Sequence, residues 1–72
     1  MRTLLAEYRR EAGFSTQEAL SVTLGIQRST IAKWETGVSY PRAPLMSKLA
    51  KRLNVSEGQI IAAITTARTH ES

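Results

Sequence analysis

The strongest constraint on this chain is Gly25, which separates two segments of roughly eight residues that both have helical periodicity. Leu20 and Leu24 are four residues apart in the first segment, and Ile31 and Trp34 are three apart in the second. Helices of this length are unstable alone, because few hydrogen bonds offset the cost of nucleation. The two segments must therefore be held at an angle, across a short turn, by other helices.

Further helical segments flank this pair within the 72 residues, a length that allows one domain with a modest core. Helices are predicted over residues 3–12, from 16 or 17 to 24, from 27 or 28 to 35, from 44 to 53, and from 57 to 64. Ser15 with Glu18 and Ser56 with Gln59 have the spacing of capping boxes for the second and fifth helices. No segment alternates apolar and polar residues throughout, so the predicted fold class is all-α, with residues 65–72 as a flexible tail.

The positive charge is concentrated in the middle of the chain. Ten Lys and Arg residues face six acids, all of them Glu, for a net charge of +4. Residues 28–52 alone hold six cations and one acid, a local net charge of +5. Such a region attracts polyanions such as nucleic acid, but it is equally compatible with a solvated surface. On charge alone, both interpretations remain open.

Several classes of protein are disfavoured by what the sequence lacks. It has no cysteine, its one histidine is His70, and no nucleophile and base occur at a plausible spacing. We therefore expect a non-enzymatic protein without a metal site, cofactor or small-molecule ligand. No apolar run approaches the length of a membrane span, so we expect a cytoplasmic protein that does not contact membranes.

The central residues resemble the phage repressor/Cro-type helix-turn-helix family. The resemblance is carried by the joint pattern of Gln17, Leu20, Gly25, Ser29-Thr30-Ile31, Trp34-Glu35 and Gly37. It continues through residues 39–41 and 45–56, and covers residues 4–64 overall. It implies a lambda-repressor-like fold of five short helices over residues 1–64, in which the second and third helices bind double-stranded DNA.

The resemblance also implies roles for individual residues. The predicted base contacts, from the recognition helix at about residues 27–35, are Gln27, Arg28, Ser29 and Lys33. The predicted phosphate contacts are Arg10, Gln17, Thr36, Gly37, Tyr40 and Arg42. Arg9 is expected to pair with Glu35 and thereby to neutralise the one acid of this helix. Trp34, three residues from Ile31, is expected in the core, and Lys48, Lys51 and Arg52 are expected to form a solvated face.

These features predict a sequence-specific transcriptional regulator of phage, prophage or bacterial origin. One domain of this type reads about 4–6 base pairs, so a homodimer or a second regulator protein is expected as partner. Ile60, Ile61 and Ile64 of the fifth helix are the candidate surface for that partner, and because two of them suffice for the core of the protomer, one is left for the surface. The alternative is a protein-interaction module, such as an antirepressor, co-repressor or antitoxin, that acts by binding another regulator.

Overall fold

The structure, a computed structural model, describes residues 4–71, with side chains through residue 69. The outermost residues of the predicted domain and tail, 1–3 and 72, lie outside this part. The five helices are α1 (Leu4–Glu11), α2 (Gln17–Leu24), α3 (Arg28–Glu35), α4 (Leu45–Leu53) and α5 (Glu57–Glu71). Residues 4–71 contain no strand, and the prediction of an all-α fold of five helices is confirmed.

The ends of α2 and the turn that follows it are set by local side-chain and backbone chemistry. Thr16 is in extended conformation, and its Oγ1 accepts a hydrogen bond of 3.1 Å from the backbone N–H of Ala19. The prediction that Ser15 caps this helix is therefore wrong by one residue, since only the residue next to Gln17 places its hydroxyl under the free N–H groups. At the other end Gly25 takes a φ of 71°, a left-handed conformation that turns the chain toward α3.

Both ends of α4 and the start of α5 follow their sequence signals closely. Pro44 directly precedes α4, and Asn54 ends it in the left-handed conformation with a φ of 58°. Ser56 and Gln59 form the predicted capping box: Ser56 Oγ accepts from the N–H of Gln59 at 3.0 Å, and Gln59 Oε1 accepts from the N–H of Ser56 at 2.8 Å. The two reciprocal bonds fix where α5 begins.

One core is shared by all five helices. Its fully buried large side chains are Leu5, Leu20, Ile31, Trp34, Leu49, Ile60 and Ile64. Trp34 is 2% exposed, as its spacing from Ile31 predicted. Ile60 and Ile64 are completely buried and serve the core of the protomer, so they are not available to a partner, while Ile61, at 46% exposure, is the one of the three that remains accessible.

Helix α5 ends at residue 71, seven residues past its predicted end at residue 64. Ala67 is buried one turn beyond Ala63 and Ile64, and Thr65 is hydrogen-bonded to Tyr40. The prediction that the tail starts at residue 65 is therefore wrong for the helical residues up to 71. The buried side of α5 continues through Ala63 and Ala67. Because alanine is small and only weakly apolar, it adds little to the periodic pattern from which a helix is predicted.

Candidate nucleic-acid interface

Helix α3 has one buried face and one exposed face. Ile31, Trp34 and Glu35 point into the protein. Arg28, Ser29 and Lys33 are exposed on the opposite side, and all are cationic or hydrogen-bonding. A major groove admits one α-helix, and its base edges accept hydrogen bonds from such side chains.

The buried face is held by a hydrogen-bonded network around the Glu35 carboxylate. Arg9 Nε donates to Oε2 at 2.7 Å, and Gln17 Nε2 donates to Oε1 at 2.9 Å. The same Arg9 also donates from Nη1 to the backbone oxygen of Phe14 at 2.9 Å. Both carboxylate oxygens are therefore satisfied, and the ion pair expected between Arg9 and Glu35 is present and buried.

This network has two consequences for the exposed face. It connects α1, α2 and α3, so that α3 is fixed to two other helices by polar bonds as well as by packing. It also neutralises Glu35, the one acid of α3, whose charge would otherwise oppose the approach of a phosphate backbone.

Gln17 is the first residue of α2 and remains able to contact a phosphate. Its amide oxygen accepts a long bond, 3.4 Å, from Arg28 Nη1, while one amide hydrogen is used by Glu35. A glutamine amide has two hydrogens, so one is left for an acceptor. The backbone N–H groups of a first helical turn also point outward, where they favour an anion.

The residues predicted to contact bases lie together at the amino end and along one side of α3. Gln27 is the N-cap residue of α3, but its side chain makes no capping bond, and its Oε1 accepts a long bond of 3.4 Å from Ser29 Oγ. Lys33 follows Ser29 after one helical turn, which puts both on the same face. Their base contacts stay a prediction, but the fold brings all the side chains concerned to one exposed surface.

Two of the predicted phosphate contacts after α3 are already engaged within the protein. Thr36 Oγ1 donates to the backbone oxygen of Ala32 at 2.9 Å, so its hydrogen must leave that bond to reach a phosphate. Gly37 is buried, and its N–H donates to the oxygen of Trp34 at 3.2 Å. These contacts contradict the phosphate role predicted for Gly37, because its backbone is not accessible.

The remaining phosphate candidates are distributed around this loop and on α1. Tyr40 is partly buried, and its hydroxyl lies 2.7 Å from Thr65 Oγ1, with either group able to donate. Arg42 in the loop and Arg10 on α1 are both exposed. The structure also brings Arg68 of α5 beside this loop, which the sequence analysis missed because it ended the helix at residue 64.

Within residues 4–71, no helix has the combination of length and apolar character that a membrane span requires.

Comparison with known proteins agrees with this geometry. A helix-turn-helix family model matches residues 5–60, which include α2, the turn, α3 and α4. A protein of Methanothermobacter thermautotrophicus named as an uncharacterized HTH-type transcriptional regulator is 42% identical over 53 residues, covering 74% of this chain and 75% of the relative. No solved structure is significantly similar to the chain. With the family match spanning most of its length and the five-helix, lambda-repressor-like fold around it, the chain belongs to the Cro/C1-type helix-turn-helix family.

Proposed function

We propose that this protein is a sequence-specific transcriptional regulator that acts by occupying an operator, in the manner of a repressor or a Cro-like protein. The observation that carries the proposal is the division of α3 into two faces. Its buried face is fixed to α1 and α2 through Glu35, while its exposed face offers only donors and small groups. A rigid helix with such a surface can read base edges without paying for rearrangement.

Specific contacts are assigned to the exposed side chains by their chemistry. Arg28 and Lys33 donate, and the guanine edge presents two acceptors in the major groove. Gln27 and Ser29 both donate and accept, which suits the mixed edge of adenine. Gln17 donates to a phosphate at the groove margin and fixes the depth and register of α3.

We further propose that two protomers bind together. One recognition helix reads too few base pairs for genomic specificity. In a symmetric dimer the two α3 helices must lie about 34 Å apart to enter successive major grooves. A protomer of 31 × 21 × 20 Å is of the right size for two copies to meet this spacing side by side. Ile61 is the accessible member of the predicted partner surface.

The assignment of α3 is tested by selecting bound sequences from a random duplex library. The wild type is expected to enrich one motif, and the Arg28→Ala, Lys33→Ala variant is expected to lose both the motif and most of the affinity. The matched control, Lys51→Ala with Arg52→Ala, removes the same charge from the last turn of α4 and should keep the motif. If the α3 variant enriches the same motif with unchanged affinity, the assignment is wrong.

The mass of the complex distinguishes the remaining possibilities. The 8.0 kDa chain should bind a duplex with its selected motif as two copies per duplex. A wild-type chain that binds no duplex, but co-purifies with one other regulator in a fixed ratio, would instead support the protein-interaction module.

A further inference from the structure

The loop after α3 and the carboxyl half of α5 are in direct backbone contact. A Cβ placed on Gly37 would lie 2.5 Å from the backbone N of Arg68 and 2.6 Å from its Cα. Real Cβ atoms do not approach this closely, so only glycine allows the two segments to pack at this distance. One turn earlier, the bond between Tyr40 and Thr65 joins the same two segments. The position of Arg68 is therefore fixed relative to this loop.

The charged side chain of Arg68 is available for a ligand where α5 meets this loop. It is exposed, whereas its neighbour Ala67 is buried and anchors the helix. The Arg68 guanidinium has no ion pair or hydrogen bond with any side chain of residues 4–69. Thr65 and Arg68 are three residues apart, which places both on the side of α5 that faces the loop.

The loop would also lie near a DNA backbone when α3 occupies a major groove. A helix of eight residues is about 12 Å long, and the major groove is about 12 Å wide. When α3 occupies the groove, the loop that follows its last turn therefore lies beside the sugar–phosphate strand at the groove edge. Lys33 and Arg42, both exposed, lie before and after this point in the chain.

We propose that Arg68 is an additional phosphate ligand, delivered to the DNA backbone by the extension of α5 past residue 64. The inference rests on the proposed DNA-binding function and deepens it. Arginine is suited to the role, because its planar guanidinium can donate two parallel bonds to one phosphate. The contact is independent of base identity, so Arg68 contributes affinity and positioning rather than sequence choice.

The test measures binding to a fluorescein-labelled duplex of mixed sequence, about 20 base pairs long to accommodate two half-sites. Fluorescence anisotropy gives the affinity at a series of salt concentrations. Each phosphate contact contributes about 0.9 to the slope of log affinity against log salt. Arg68→Gln is expected to reduce the slope by about this amount, whereas Arg68→Lys, which retains the charge, should keep it.

The matched control is Lys51→Gln, which removes one positive charge from the last turn of α4. It should leave the slope unchanged, and circular dichroism should show all three variants folded. Equal slopes for Arg68→Gln and Lys51→Gln, or a slope lost equally in Arg68→Lys, would overturn the inference while leaving the DNA-binding proposal intact. Wild-type protein without salt-dependent binding would instead refute the proposed function itself.

Discussion

Replacing Arg9 by methionine removes the cationic partner of Glu35 while retaining a side chain of similar length. Arg9 and Glu35 are 4% and 5% exposed, so water does not reach the carboxylate to take over the lost bond. Among the donors of residues 4–69, Glu35 then keeps Gln17 alone, and the backbone oxygen of Phe14 loses its bond to Nη1. Removing one member of a buried ion pair costs about 3–5 kcal/mol in the free energy of unfolding.

A loss of this size is large for so small a domain. At about 0.05–0.15 kcal/mol per residue, a 72-residue chain has a total stability of about 4–11 kcal/mol. The Arg9→Met variant is therefore expected to be marginally stable or unfolded at 25 °C. The reason is electrostatic: the charge of Glu35 remains in a low-dielectric site without its counter-charge.

Urea denaturation followed by tryptophan fluorescence measures this effect directly. Trp34 is the single tryptophan of the chain and is buried beside Glu35, so its emission reports the transition. Arg9→Lys serves as the control, because it keeps the charge but cannot reach both Glu35 and Phe14 with the guanidinium geometry. Its loss should be clearly smaller than that of Arg9→Met.

The double variant Arg9→Met, Glu35→Met separates a buried charge from a general packing defect. Removing both charges should restore most of the stability lost in Arg9→Met, since replacement of a whole buried pair by apolar residues is often neutral. The reasoning is refuted if Arg9→Met costs less than about 1 kcal/mol, or if the double variant is less stable than the single one.

Two further predictions concern packing and use the same fluorescence assay. Gly37→Ala should destabilise the fold by about 2–5 kcal/mol, because it adds a backbone clash to a left-handed φ of 82°. Gly25→Ala, with a φ of 71° but open space around it, should cost only about 1–2 kcal/mol, and equal losses would contradict the close approach of α5. Ile64→Ala should cost about 2–5 kcal/mol and Ile61→Ala much less, because Ile64 is fully buried and Ile61 is 46% exposed. A larger loss at Ile61 would contradict this orientation of α5.

The helix-turn-helix core was predictable because its signals are local. Gly25 adopts a conformation that few other residues tolerate, and the apolar spacings on each side of it identify the buried faces of α2 and α3. The Arg9–Glu35 pair joins residues 26 apart, and only the resemblance to a family indicated it. Periodicity alone contains no information about which distant charge is the partner.

The errors arose where neighbouring residues offer the same chemistry or where packing is set by small side chains. Ser15 and Thr16 are both good caps, and the choice depends on the length of the α1–α2 loop. Ala63 and Ala67 extend the buried stripe of α5, but alanine occurs on buried and exposed surfaces alike. The burial of Gly37 could not be predicted, because it depends on a helix that begins twenty residues later.

The division of α3 into a buried, hydrogen-bonded face and an exposed face has a consequence for how the sequences of such proteins diverge. Ser29 and Lys33 are exposed and lie outside the buried core, so under the proposed function their exchange would alter what the helix reads while the fold is kept. Glu35, by contrast, can change only together with Arg9. With that function, a duplicated copy of this gene could acquire a new operator through a few surface substitutions, while its scaffold remained unchanged.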